Sequence, residues 1–421
     1  MKKVFCLMLA LTLMLSLAAC KQPQPSPGKA NSMMEGILPK PVDVTTSLEA
    51  GPEAATDFGV RLFKENMKDG ENTLISPLSV LYALAMTANG ADGETLAQME
   101  AVLRTDSEEL NNFLYAYAKQ LPADEAYKLH IANSIWFKDD EKLTVNDAFL
   151  QTNADYYGAQ LYKAPFDQTT LDDINKWVET ETDGMIPEIL DKIPENVVMY
   201  LVNALAFEAQ WERPYGEYQL QNGFFTREDG ETQEVRMMLS NEYLYLEDEL
   251  ATGFIKYYED RKYAFVALLP NEGVTVSQYV DSLSGAHLQE MLKNPEQIEV
   301  HASMPKFEVE YDVEMGEALQ TMGMPDAFHW ETADFSRLGT YQVDGFNIFI
   351  GRVLHKTYIS VAEQGTKAGA VTIIEAPAMG MMPEIPEYKE VDLDRPFVYM
   401  LIDCKTNMPF FIGTMMDVNA G

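Results

Sequence analysis

Residues 363–382 read EQGTKAGAVTIIEAPAMGMM. From Gly365 onward they alternate as a strand does, with Thr366, Ala368, Ala370, Thr372 and Ile374 on one face and Lys367, Gly369, Val371, Ile373 and Glu375 on the other. The first face is small and uncharged. Because it offers neither bulk nor a charge to desolvate, the segment could slide between two existing strands. It reads as a strand held in reserve, with Thr366 the first side chain that insertion must bury. The alternation stops at Glu375, and the run PAMGMMPEIPEYKE (377–390) follows, with prolines that prevent continued pairing in a sheet. An accessible Met-Gly pair among prolines suits attack by a protease. From these residues alone, an acidic surface loop beside an edge strand is the competing reading.

The segments around this stretch are rich in strands. FNIFIGRVLHKTYISVAEQ (346–364) precedes it, and RPFVYMLIDCKTNMPFFIGTMM (395–416) has the shape of a hairpin turning near Lys405, Thr406 and Asn407. IEVHASMPKFEVEYDV (298–313) alternates at Ile298, Val300, Ala302 and Met304, then changes parity to Phe307, Val309 and Tyr311. A parity change at Pro305-Lys306 predicts a bulge or a change of sheet. The first half is mainly helical in pattern. SPLSVLYALAMTANGA (76–91) opens with a serine cap and a first-turn proline, and helical spacing also marks GETLAQMEAVL (93–103) and LDDINKWVETETDGM (171–185). The expected fold class is α+β, with a helical N-terminal half and a large, mostly antiparallel main sheet.

Composition bounds the function. The 421 residues are 47% hydrophobic, enough for a large core, and 66 acidic against 31 basic residues give a net charge of −35. Nucleic acid and anionic membrane surfaces would be repelled over most of such a molecule. The N-terminus MKKVFCLMLALTLMLSLAAC has the charged start, apolar run and small-residue ending of a secretion signal, residues 1–19. Leu17-Ala18-Ala19-Cys20 resembles a bacterial lipobox, in which Cys20 would carry lipid; ordinary cleavage beside an incidental cysteine is the alternative. Residues 20–48, rich in Pro, Ser, Gln and Gly, read as a flexible tether, and 49–421 as one large domain without internal linkers or repeats. Only Cys404 lies in the body, so no internal disulfide framework is expected.

No G-x-S-x-G, Walker loop, H-E-x-x-H or C-x-x-C occurs, and the five histidines lack metal-ligand spacing. An enzyme is not indicated. The chain instead resembles the serpin family over residues of about 50 to 418. The resemblance rests on EQGTKAGAVT as the hinge of a reactive loop, preceded by VLHKTYISVA. It rests also on NTLISPLSVLYALAMTANGADGETLAQM, INKWVETETDGMIPEIL, LVNALAFEAQWERPY, MPKFEVEYDV and DRPFVYMLIDCKTNMPFFIGTM, all in family order.

The resemblance implies the serpin fold, an exposed reactive loop over about 363–394, and a suicide mechanism. A serine protease cuts the loop, the freed hinge enters the main sheet, and the acyl-enzyme is trapped. It also implies a covalent complex with the protease, no cofactor or metal, a monomer, and membrane attachment through the lipid alone. Glu363, Gly365, Thr366, Ala368 and Ala370 match the hinge. Ser76, Ser79, Asn203 and His355 match the polar cluster where the sheet opens, and Lys306 and Trp211 match the top of the sheet beside the hinge. Counting about fourteen positions from Gly365 places the reactive bond at Met379-Gly380. The stretch from Gly380 to Arg395 is longer than in most members, which keeps Met381 and Met382 open as alternatives. No Lys or Arg lies between Ala368 and Met382, so elastase-, chymotrypsin- or subtilisin-like proteases are expected over trypsin-like ones. A non-inhibitory member serving as a carrier or binding module at the cell surface is the other reading, disfavoured by the small hinge residues.

Overall fold

The structure is a computed structural model that describes residues 30–44, 51–121, 127–193, 197–366 and 387–420. Cys20, Ala368, Ala370, Met379, Gly380, Met381 and Met382 lie outside the described residues.

The N-terminal half supplies the longer helices, among them Gly51–Asn66, Pro77–Ala88, Asp147–Tyr157 and Gln168–Glu181. Pro77–Ala88 starts as its sequence requires: Ser76 is extended, and its side chain accepts a hydrogen bond from the Ser79 amide. Every residue of this helix is buried, which explains an apolar content spread around all its sides. It runs behind the sheet as a core helix. Gln168–Glu181 is amphipathic instead, burying Leu171, Ile174, Trp177 and Val178.

Seven strands form the main sheet, in the order Asn31–Ser32, Gln160–Ala164, Tyr127–Lys138, Met199–Gln210, Gly365–Thr366, Arg352–Ala362 and Phe307–Glu314. Five pairings are antiparallel. Two are parallel, Gln160–Ala164 with Tyr127–Lys138 and Met199–Gln210 with Arg352–Ala362, so the sheet is mixed. The second of these parallel pairs is where the site lies.

A six-stranded and a four-stranded sheet complete the body. The parity change at Pro305-Lys306 is a change of sheet. Glu299–Pro305 belongs to the four-stranded sheet and Phe307–Glu314 to the main one, with Lys306 between them donating its amide to the Arg236 carbonyl. The expected C-terminal hairpin pairs Phe397–Asp403 with Met408–Met415. Its turn is fixed by Asp403, whose carboxylate accepts from the amides of Lys405 and Thr406, and by Asn407 at φ 54°. Cys404 is the free cysteine among the described residues, and burial beside Asp403 pushes its thiol up to about 12.

Candidate functional site: a sheet divided by its own hinge

Met199–Gln210 and Arg352–Ala362 behave as the two leaves of a gate. They pair directly in parallel from Arg352 with Tyr200 to Thr357 with Leu205. Above that point the hinge strand stands between them. Gly365 and Thr366 pair with Gln210 and Ala209 on one side and with Ala362 and Val361 on the other. The expectation that Thr366 waits outside the sheet is therefore corrected: its side chain is already fully buried, and its hydroxyl lies 2.5 Å from that of Tyr258. A small polar side chain can be buried at this point because Tyr258 supplies the partner it would otherwise lack.

Gly365 is required by close approach. A Cβ there would lie 2.1 Å from the Ala209 carbonyl oxygen, and its φ of 153° is one that other residues rarely adopt. The two-residue turn Glu363-Gln364 is held from the facing strand's end. Trp211 donates its indole N–H to the Ala362 carbonyl at 2.8 Å and its amide to the Gln364 carbonyl at 2.9 Å, while the Tyr215 amide donates to the Glu363 carbonyl at 2.8 Å. Trp211 also stacks on Tyr258, ring centres 4.4 Å apart, so one aromatic pair touches both the turn and Thr366. Lys306 meets the Glu363 carboxylate at 3.2 Å, with both side chains partly exposed.

Lower down, where the two leaves still touch, a polar cluster sits against the helix Pro77–Ala88. The Ser79 hydroxyl donates to Asn203 Oδ1 at 3.0 Å, His355 Nδ1 reaches the same oxygen at 2.5 Å, and the Ser76 amide donates to His355 Nε2 at 3.0 Å. These contacts fix the tautomer. Since Nε2 accepts from a backbone N–H, the proton must sit on Nδ1, and it must point at the oxygen of Asn203. Burial lowers the His355 pKa to about 3, so the ring is neutral. One donor is left over: the Asn203 Nδ2 group is buried and has no hydrogen-bond partner among the described residues.

The structure thus brings Glu363, Gly365, Thr366, Lys306 and Trp211 together at the top of the gate, and Ser76, Ser79, Asn203 and His355 together below it. Tyr258, Tyr215 and Lys256, which sequence reading did not single out, complete the upper group. No local pattern marks them, because Tyr258 and Tyr215 meet the hinge, and Lys256 meets Tyr215 and Trp211, only through the tertiary fold.

A main sheet that holds Gly365 and Thr366 between two strands paired directly with each other below them defines a protein of mixed helix and strand with a forked central sheet. The family to which such proteins are assigned matches the chain directly. The serpin (serine protease inhibitor) family profile covers residues 53–418, and the protein belongs to that family. Among solved structures, the thermophilic serpin tengpin in its native state superposes with a TM-score of 0.88 at 47% identity, over 93% of this chain and all of that one. Its latent state superposes less closely, at 0.77. Two relatives span most of both sequences. An uncharacterized serpin-like protein of Thermococcus kodakarensis is 28% identical over 87% of this chain and 86% of its own length. The leukocyte elastase inhibitor of Equus caballus is 29% identical over 86% of this chain and 97% of its own. The fold is the serpin fold, with a mixed main sheet.

Two outcomes are expected. His355 has a folded pKa near 3 against about 6.5 when unfolded, so its contribution to stability is complete above pH 6.5 and is lost as pH falls from there toward 3, by up to about 1.4 kcal/mol per pH unit. His355→Gln, which can keep both hydrogen bonds without titrating, should flatten the fall of the urea midpoint between pH 6.5 and 5, where few carboxylates titrate; parallel slopes in the two proteins would contradict this. Thr366→Arg would place a long cation against buried Tyr258 at a cost of roughly several kcal/mol. The hinge strand should therefore leave the sheet. Amide exchange should quicken at the hinge, and the rise in melting temperature expected when the loop is cut should be largely lost; an unchanged rise would overturn the role given to Thr366.

Proposed function

We propose that the protein is a suicide inhibitor of extracellular serine proteases and that the hinge strand is the leading end of the strand it inserts. The observation that carries this reading is the double pairing of Gly365 and Thr366 between strands that are still bonded to each other below. In this reading the protease serine attacks the Met379 carbonyl, an ester forms, and the amine of Gly380 leaves. The cut end is then free to continue down the gate.

Register says where each residue would go. Counting on from the pairs of Thr366 with Ala209 and Val361, Ala368 would lie between Phe207 and Ile359, and Ala370 between Leu205 and Thr357. Thr372 would come between Asn203 and His355. Their mutual bond must then break, and the Thr372 hydroxyl would offer an acceptor to the orphaned Asn203 amide nitrogen. The small face of the hinge thus matches the side of the sheet on which Thr366 is already buried. Trapping requires insertion to outrun deacylation of the ester, and about 1.4 kcal/mol of barrier changes that race tenfold.

An apolar methionine at the reactive bond, with no basic residue between Ala368 and Met382, favours elastase-, chymotrypsin- or subtilisin-like targets. The similarity to a leukocyte elastase inhibitor points the same way. Lipid on Cys20 would hold the inhibitor at a bacterial cell surface, facing extracellular enzymes, on a tether shorter than the expected 20–48, because Asn31–Ser32 is paired as a strand of the main sheet and the Lys40 amide donates to Asp155.

Mixing the protein with a panel of serine proteases should give a covalent complex that survives denaturing gels and a released peptide beginning at Gly380. A peptide beginning after Met381 or Met382 would move the reactive bond; clean turnover without a complex would leave the non-inhibitory carrier reading. Separately, Cys20→Ala should release the protein from the membrane fraction of the cell that makes it. Retention with unchanged mass would remove the lipid anchor from the account.

A further inference from the structure

We propose that Lys256 is a positioning residue that fixes the register in which the strand enters the sheet. The proposal rests on the insertion reading above. Lys256 lies on the strand Ala251–Tyr257, and its side chain is only 2% exposed. A buried ammonium is an expensive choice at a place where an apolar side chain of similar length would fill the space. Burial opposes its charge, but Tyr215 and Glu242 outweigh that and hold its pKa above the ordinary value. Glu242 accepts from it at 2.9 Å and the Arg213 carbonyl at 3.4 Å.

What the charge touches explains its presence. The ammonium stands 4.5 Å from the ring centre of Tyr215 and 5.3 Å from that of Trp211, a cation shared between two aromatic faces. Those two residues supply the three hydrogen bonds that hold the carbonyls of Ala362, Glu363 and Gln364. Lys256 therefore grips the turn from which the hinge strand starts without touching the strand itself.

The position of that turn decides everything downstream, since side chains alternate between faces with a period of two. A slip of one residue would send Lys367, Gly369 and Val371 to the face that now holds Thr366, and a lysine would meet the core first. A turn clamped at three carbonyls excludes the slip. Neither the Lys306–Glu363 pair, half exposed at the surface, nor the single hydroxyl contact of Thr366 sets the turn against the sheet in this way.

The test uses the full, uncut protein. Lys256→Met keeps the stem and removes the charge, and Lys256→Met with Glu242→Gln does so without stranding a carboxylate. Lys256→Arg restores a cation, for which there is room because half-open cavities of about 670 and 590 Å³ flank the site. Amide exchange at Trp211 and Tyr215 should rise roughly tenfold in both methionine variants and stay near wild type in the arginine variant, with amides of the buried strand Tyr263–Pro270 unchanged. The gain in melting temperature on cutting the loop should shrink in the methionine variants alone. Wild-type exchange in the methionine variants, an arginine variant that behaves like them, or an undiminished gain on cutting would each overturn the proposal. Because exchange is read with no protease present, a failure of the wild-type protein to trap any protease would count against the inhibitory reading and leave this result standing.

Discussion

The molecule depends on two parallel strands that are bonded at one end and held apart at the other. Between Thr357 and Val361 on one leaf, and between Leu205 and Ala209 on the other, the described residues contain no strand to fill the gap. Backbone groups that face such a gap are not paired across it, and an added strand would satisfy both inner edges at once. The helix Pro77–Ala88 behind and the three-residue contact with the hinge above hold the fork where it is. A serpin whose gate were bonded along its whole length would have a better sheet and no place for a loop to begin.

Part of this was legible in the sequence because it is written in local patterns. The alternation of small residues after Gly365, the Ser76-Pro77 helix start and the parity change at Pro305-Lys306 each follow from period, cap or proline chemistry within a few residues, and the structure has the helix and the change of sheet where those patterns place them. The polar cluster is of another kind. Ser79, Asn203 and His355 are separated by 124 and 152 positions, and only the family resemblance gathered them before the fold did. The burial of Thr366 was misread because it depends on Tyr258, 108 positions away, whose hydroxyl removes the penalty that would keep a free hinge in solvent. Lys256 sits in GFIKYYEDRKY, where nothing distinguishes it from an exposed lysine of an edge strand.

The contacts at the top of the gate differ in weight. Lys306 and Glu363 make a partly exposed ion pair, the kind of contact that contributes about 1 kcal/mol or less once screening and side-chain entropy are counted. The grip of Trp211 and Tyr215 on the turn is largely buried and made through backbone carbonyls, so it constrains geometry as well as energy. Attraction near the hinge can thus be lost at the surface with little change in where the hinge points, whereas a change beneath Trp211 would alter the direction in which a strand enters.

The chemistry of the lower cluster is equally specific. On the proposed insertion reading, a gate that stays shut until a loop is cut and then opens would be poorly served by a buried ion pair, because parting one leaves uncompensated charges at a cost of roughly 3–5 kcal/mol. His355 is neutral, Asn203 and Ser79 are uncharged, and the three share a single acceptor oxygen. Each bond in such a set is worth only about 1 kcal/mol net, and among the described residues the Asn203 amide nitrogen has no partner to lose. A threonine hydroxyl arriving between Asn203 and His355 can donate to one and accept from the other, so each step of opening can be matched by a bond to the incoming strand. The closed gate is held by interactions that the open gate can replace, and this is the condition under which a sheet can be both shut and ready to open.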